Sequence, residues 1–299
     1  MRDDSLPDVT RLRLLDDVAR FGSIASAARA NGITASAVSQ QLSLLEREAG
    51  ARLLERQRRG VALTGAGRVL VEKAGQVVRL LEETRTEMDQ LKGELAGRVR
   101  VGAIASAAMS IVLPSADRVR TEHPDIDVRV SVVEPSASLE DVASGALDVA
   151  VIDIYDHVPL ALPDHLEVVQ ILKEPLVLVT ADGADRTRRL ADLKNTPWVM
   201  PPASAACGQA VRHACRAEGF EPDVTWETDD LLLLVESVAQ GHGVTLLPRL
   251  AVARNLAPVR LHELGGRGLH RRILSVARTS NAQRPIISSV LDALHTAVR

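Results

Sequence analysis

The chain has 299 residues, 46% of them apolar and 25% charged, with a net charge of −3. That length predicts two or three domains, and the composition excludes a disordered chain. It holds no run of eighteen apolar residues, which excludes a membrane-spanning helix.

Met1 to Thr10 carries Asp3, Asp4 and Asp8 and no apolar stretch, so no secretory leader is expected. Residues 1–64 hold ten basic against eight acidic side chains, whereas the remainder holds 26 against 31. Arg52, Arg56, Arg58 and Arg59 face only Glu55. A local basic stripe on a mildly acidic protein fits site-directed DNA binding better than bulk electrostatic binding. The five aromatic residues are too few for a reader that stacks single-stranded bases.

Leu12, Leu15, Val18, Ala19 and Phe21 recur at helical spacing and predict a first helix, stopped by Gly22. Ser23 caps a short alanine-rich helix from Ile24 to Ala30, and Asn31-Gly32 is a turn. Thr34 or Ser36 then caps a third helix that runs to Gly50, with Val38, Leu42 and Leu45 as its core stripe. Ser36, Ser39, Gln40, Ser43 and Arg47 lie on its other faces. Such a polar end suits the major groove, where Gln pairs with adenine and Ser donates or accepts. The competing reading is a small bundle whose polar face is only solvated. The stretch from Arg52 to Thr64 favours the groove, because it reads as two short strands around a basic turn. A hairpin beside a recognition helix is a winged helix, with Arg56, Arg58 and Arg59 placed along phosphates.

Thr64 caps a long helix that is predicted to continue to about Leu95 and to stop at Gly97. Leu70, Ala74, Val77, Leu81, Thr84, Met88, Leu91 and Leu95 repeat at alternating spacings of four and three. That is a heptad seam, on an arm of roughly 48 Å, and it predicts a homodimer. From Arg98 strands alternate with helices. Strands are expected at VRVGAI, IDVRVSVV, LDVAVI, VVQIL, PLVLVT, TPWVM, DVTWE, GVTLL and ILSVA. Helices are expected at Ala108–Glu122 (interrupted near Pro114), Leu139–Ser144, Cys207–Ala217, Leu231–Ala239 and Ile286–Ala297. Two βαβ units in tandem imply parallel sheets with helices on both faces, and a cleft that closes on a small molecule.

The segments LSLLEREAGARLLER, ALTGAGRVL, GALDVAVI and VAQGHGVTLLP resemble the LysR-type transcriptional regulators along the whole chain. The resemblance implies a sequence-specific DNA-binding regulator modulated by a small effector. Its fold would be an all-α winged helix-turn-helix with a long linker helix, then an α/β two-lobed effector domain like the periplasmic binding proteins. The domains would span 1–64, 65–97 and 98–299. Lobe I would take about 98–166 with the C-terminal helix, and lobe II about 167–278. The resemblance places base reading at Ala35, Ser36, Ser39 and Gln40, although Ala35 is too short to hydrogen-bond a base edge and Gln40 stands where many members carry Arg. It implies a promoter dyad site, a homodimer or homotetramer, and the cytoplasm.

The resemblance places the effector near Ala105, Ser106, Ser136, Asp153, Pro202, Ala203, Ser204 and Thr228. Helix starts with Ser hydroxyls bind carboxylates, which would leave Asp153 for an amino group, so a carboxylate or amino acid is expected. Equally, these serines cap helices and Asp153 meets solvent. Cys207 and Cys215 raise a peroxide- or thiol-responsive alternative. On one helix they stand about 12 Å apart, too far for a disulfide without unwinding. The eight histidines show no metal spacing, and no nucleophile elbow, P-loop or dinucleotide fingerprint occurs. No cofactor, metal or enzymatic activity is therefore expected. A solute-binding receptor remains the second class, because the α/β pair alone resembles one.

Overall fold

The computed structural model describes residues 7–57, 60–91, 95–183, 189–252, 257–264 and 268–298, which form two compact units. Arg58 and Arg59 lie outside the described residues.

The first unit begins with three helices, α1 (Val9–Phe21), α2 (Ile24–Ala30) and α3 (Ala35–Ala49). Asp8 caps α1, Ser23 caps α2, and Thr34 rather than Ser36 caps α3, accepting from the Ala37 N–H at 3.2 Å. Gly22 and Gly50 end α1 and α3 at φ of 68° and 63°, a left-handed turn that a side chain resists. Leu15, Val18, Ala27, Val38, Leu42 and Leu45 are buried together at the centre of the unit. The hairpin follows as antiparallel β1 (Leu54–Gln57) and β2 (Gly60–Leu63).

Helix α4 runs from Gly65 to Leu91, about 40 Å at 1.5 Å per residue. The Thr64 hydroxyl accepts from the Gly67 N–H at 3.0 Å. Leu70 and Ala74 pack into the core of the first unit, whereas Val77, Leu81 and Met88 are 42%, 49% and 58% exposed. The expected seam is shorter by its last member. Leu95 is not helical and packs against the apolar core of the second unit.

The second unit opens with β3 (Gly97–Ala103) and the single turn α5 (Ala105–Ala107), followed by α6 (Leu113–Glu122). Between them Ala108–Val112 is a π turn. Pro114, at the start of α6, has no N–H to return to the preceding turn, so the irregularity falls just before it. Next come β4 (Ile126–Val132), α7 (Pro135–Ser144) and β5 (Val149–Tyr155). Strand β6 (Leu166–Ala181) is one strand of 16 residues where two were expected. Its first part pairs with the last strand of the chain, and its second part pairs with strands of the other lobe. The chain continues through β7 (Pro197–Met200), α8 (Ala206–Ala217), β8 (Asp223–Glu227), α9 (Leu231–Ala239) and β9 (Thr245–Pro248). It ends with α10 (Arg249–Val252), β10 (Val259–His262), β11 (His270–Arg278), α11 (Thr279–Ala282) and α12 (Pro285–Thr296). The alternating pattern carried no sign of β10, a four-residue strand.

The seven-stranded sheet is mixed rather than parallel, whereas β7 and β8 pair parallel. Strands β4, β3 and β5 are parallel, but β11 returns from the second lobe and pairs antiparallel with β5 and β6. The lobe I core lies between this sheet and α6 and α12, and the lobe II core gathers around Trp198, Met200 and Leu246. No helix among the described residues is long and apolar enough to cross a membrane.

Candidate nucleic-acid interface and effector cleft

In α3 the apolar stripe is spent on the core, with Val38, Leu42 and Leu45 at most 3% exposed. Ala35, Ser36, Ser39 and Gln40 are all exposed on the opposite side. Two contacts keep this helix from rolling. The Arg11 guanidinium reaches Gln41 at 3.0 Å and pairs with Glu48, which ties α1 to α3. Glu46 accepts from the backbone N–H groups of Leu53 and Leu54 at 2.8 and 3.2 Å, which ties α3 to the hairpin. Arg56 lies on β1 of that hairpin. The unit therefore presents a small polar face beside a hairpin, and among the described residues the Ser39 and Gln40 side chains make no hydrogen bond. Its shape suits a groove.

Two of the effector candidates, Ser106 and Asp153, meet in the second unit in a buried ion cluster around Arg271, a residue the sequence pattern did not single out. Arg271 of β11 is 2% exposed. Its Nε donates to Glu174 at 2.8 Å, and its Nη1 donates to the Ser106 hydroxyl at 2.9 Å and to Asp153 at 3.2 Å. Glu174 also accepts from the Leu250 N–H at 2.8 Å. Burial works against the Arg271 charge, but Tyr155, Glu174 and Asp153 more than offset it and hold the group above the ordinary arginine range. Burial also pushes the Asp153 carboxyl up, while Arg271 and the Tyr155 hydroxyl hold it back in part.

Asp153 is therefore not open to an effector amino group, as the sequence suggested; Arg271 already occupies it. The exposed acid of this region is Glu134, just before α7. Its carboxyl is raised first by burial and then by Asp153 and by Asp229, which stands before α9 in the other lobe. Asp230, in contrast, caps α9 and accepts from the Leu232 and Leu233 N–H groups.

Family models match both parts of the chain. Residues 9–68 match the bacterial regulatory helix-turn-helix protein, lysR family, and residues 92–299 match the LysR substrate binding domain. The chain belongs to the LysR family of bacterial transcriptional regulators. It is a DNA-binding regulator that carries an effector-binding domain. It is 31% identical over 248 residues to the nitrogen assimilation regulatory protein nac of Escherichia coli (strain K12), covering 82% of this chain and 79% of that one. It is also 31% identical over 301 residues to the small neutral protease regulatory protein of Streptomyces coelicolor, covering 98% and 88%. Among solved structures, the LysR family transcriptional regulator CbnR shares the fold with a TM-score of 0.72 at 19% identity, over 98% of this chain and 99% of that one. CbnR complexed with its target DNA aligns with the same score over 97% and 99%.

In this LysR-type regulator the remaining effector candidates follow the ends of β3, β4, β7 and β8 along the chain. Ala105 is exposed at the start of α5, and Ser136 is exposed in the first turn of α7. Ser106 is buried against Arg271. Ala203 and Ser204 are exposed in the turn before α8, and that turn is held hard against the helix. A Cβ on Gly208 would stand 2.2 Å from the Pro202 carbonyl, and Arg212 donates to the Pro201 carbonyl at 2.9 Å. Only glycine lets the backbone approach that closely. The Thr228 hydroxyl accepts from the Asp230 N–H at 3.1 Å, and its N–H donates to the Met200 carbonyl.

The thiol alternative is not favoured. Cys207 and Cys215 both lie on α8, and both are free. Burial pushes each thiol up to about 12, away from the thiolate that attacks peroxide. No group of three His, Cys, Asp or Glu placed to hold a metal occurs among the described residues.

Proposed function

We propose that the regulator reads a promoter dyad with Ser36, Ser39 and Gln40 at base edges, Ala35 in apolar contact beside them, and Arg56, Arg58 and Arg59 of the hairpin on phosphates. The observation that carries this reading is the exposed polar face of α3 over a stripe buried to 3% or less. Two such faces are yoked through the outer half of α4, where Val77, Leu81 and Met88 stand exposed at heptad spacing. The assembly is a dimer, paired into a tetramer, and it works in the cytoplasm where its DNA is. Sedimentation should give at least dimers at micromolar concentration, and Leu81→Asp with Met88→Asp should give monomers. Binding to a fragment of its own promoter, followed by fluorescence anisotropy across salt, should exceed binding to random DNA. Equal affinity for the two would overturn the reading.

The effector is an amino-acid-like zwitterion. Glu134 and Asp229, one from each lobe, face its ammonium group, and Ser136 and Ser204 face its carboxylate. The electrostatic coupling of Glu134 to Asp229 supports a cation between them. Titration calorimetry with a panel of amino acids checks this, and heat from no member would discard it. For a member that binds, Glu134→Gln should weaken binding. Because the Glu134 carboxyl is raised, affinity should fall as pH drops through that raised value, earlier than an ordinary glutamate would allow. Effector binding sets the angle between the lobes and so the spacing of the paired hairpins. For that, the effector has to prefer one arrangement.

A further inference from the structure

Arg271 and Arg272 are adjacent on β11, so strand alternation sends them to opposite faces. Arg271 turns to the buried cluster of the cleft. Arg272 turns to the back of the same strands and lines a cavity of about 780 Å³ with Gln170, Leu160, Val168 and Leu274. Its cross-strand partners are Ile154 on β5 and Lys173 on β6. Two cations set directly opposite on one face repel each other. Both are exposed, and among the described residues neither makes an ion pair. The acid beside them, Asp156, is already engaged; it accepts from the His270 N–H at 3.0 Å and lies 3.5 Å from the ring Nδ1.

Beyond the cation pair the floor changes character. A bulge between Ile273 and Leu274 skips Ile171, so Gln170 comes opposite Leu274. Ile171 packs instead on the other side, into the lobe I core. The next rung pairs Val168 with Val276. The connection after β5 supplies Leu160 and Leu162 as a wall. Reading outward along β6, the face runs from positive, through one amide, to apolar. Bulges recur where a sheet has to re-aim a side chain, and the volume suits a small ligand.

We propose that this cavity on the back of β5, β6 and β11 is a second ligand site, for a small carboxylate with an apolar aryl or branched-alkyl body. Arg272 holds the carboxylate, Lys173 opposite it adds positive charge from outside the lining, Gln170 donates its amide N–H, and Leu160, Val168 and Leu274 cover the body. Binding removes the repulsion between the two cations. Strands β5, β6 and β11 carry both this face and the cleft face, so a carboxylate here and an effector in the cleft act on one set of strands. Their affinities are coupled reciprocally. The site does not depend on the amino-acid reading of the cleft, because it takes another ligand class on the opposite face.

The test is titration calorimetry on the full chain with benzoate, 4-isopropylbenzoate, 2-naphthoate and octanoate, and with neutral 2-naphthamide. At least one carboxylate should bind more tightly than about 1 mM. The amide should bind about tenfold more weakly than 2-naphthoate, the loss expected for one charge-assisted contact. Arg272→Gln should weaken the best carboxylate by about tenfold or more, and Arg272→Lys should keep most of it. Arg129→Gln, which removes a charge on β4, should leave binding unchanged. Arg272 is exposed, and an unchanged tryptophan-fluorescence unfolding curve would confirm that its variants fold. No heat from any carboxylate, equal binding of naphthoate and naphthamide, or full binding by Arg272→Gln would each overturn the proposal.

Discussion

Helix α3 and the buried cluster around Arg271 use polar residues in opposite ways. In α3 they stand outside, and the apolar stripe of Val38, Leu42 and Leu45 does the holding. In the cluster Arg271, Asp153, Glu174 and Ser106 are themselves buried, and they hold one another across three strands and a helical turn. The first arrangement leaves side chains free to exchange water for base edges at little cost to the fold. The second makes the site part of the core, so that whatever disturbs it also disturbs stability.

Removing a member of the buried cluster should therefore produce the largest effect. Arg271→Met leaves two carboxylates without their cation and should cost about 3–5 kcal/mol of stability. Denaturation followed by the fluorescence of Trp198, buried in lobe II, reads this directly. Replacing Arg271, Glu174 and Asp153 together with apolar residues of similar size should cost less than Arg271→Met alone. If the single change were the milder one, the cluster would not be holding the lobe together.

The exposed face of α3 should behave differently. Ser39→Ala with Gln40→Ala is expected to weaken operator binding by about 1–3 kcal/mol, relax its sequence preference, and leave the melting temperature in place. A melting shift without a binding change would reverse the contrast. Between the two lies Thr34, whose hydroxyl caps α3. Thr34→Ala should cost about 1 kcal/mol of stability, and operator affinity should follow only as the helix start frays; thermal melts and anisotropy on one sample separate the two. The smallest effect is expected at the thiols. With both pushed up to about 12, native Cys207 and Cys215 should react with iodoacetamide at pH 8 about a thousandfold more slowly than an open thiol. Operator binding should be the same in oxidant and in reductant.

Local pattern was enough for the first unit because everything it needed lies within a few residues. The Ser23 and Thr34 caps, the Gly22 and Gly50 stops and the 38–42–45 stripe are neighbour-to-neighbour signals. The long helix was legible for the same reason, but its end was not. Leu95 keeps the heptad spacing, yet the lobe I core claims it. In the second unit the two apolar runs on either side of Lys173-Glu174-Pro175 read as separate strands, because a polar pair and a proline usually end one. They are one strand, since β11 and β9 supply partners from both lobes.

Helix positions, caps, the exposed polar face of α3 and the family were thus written in the order of the residues, because helices and turns depend on contacts a few positions apart. The partner of Asp153 was not, since Arg271 stands 118 positions away and only the returning strand brings it there. The same return, by strand alternation, sends Arg272 to the far side. Which of two adjacent arginines is buried is decided by what packs on each face of the sheet, and that is a property of the tertiary structure.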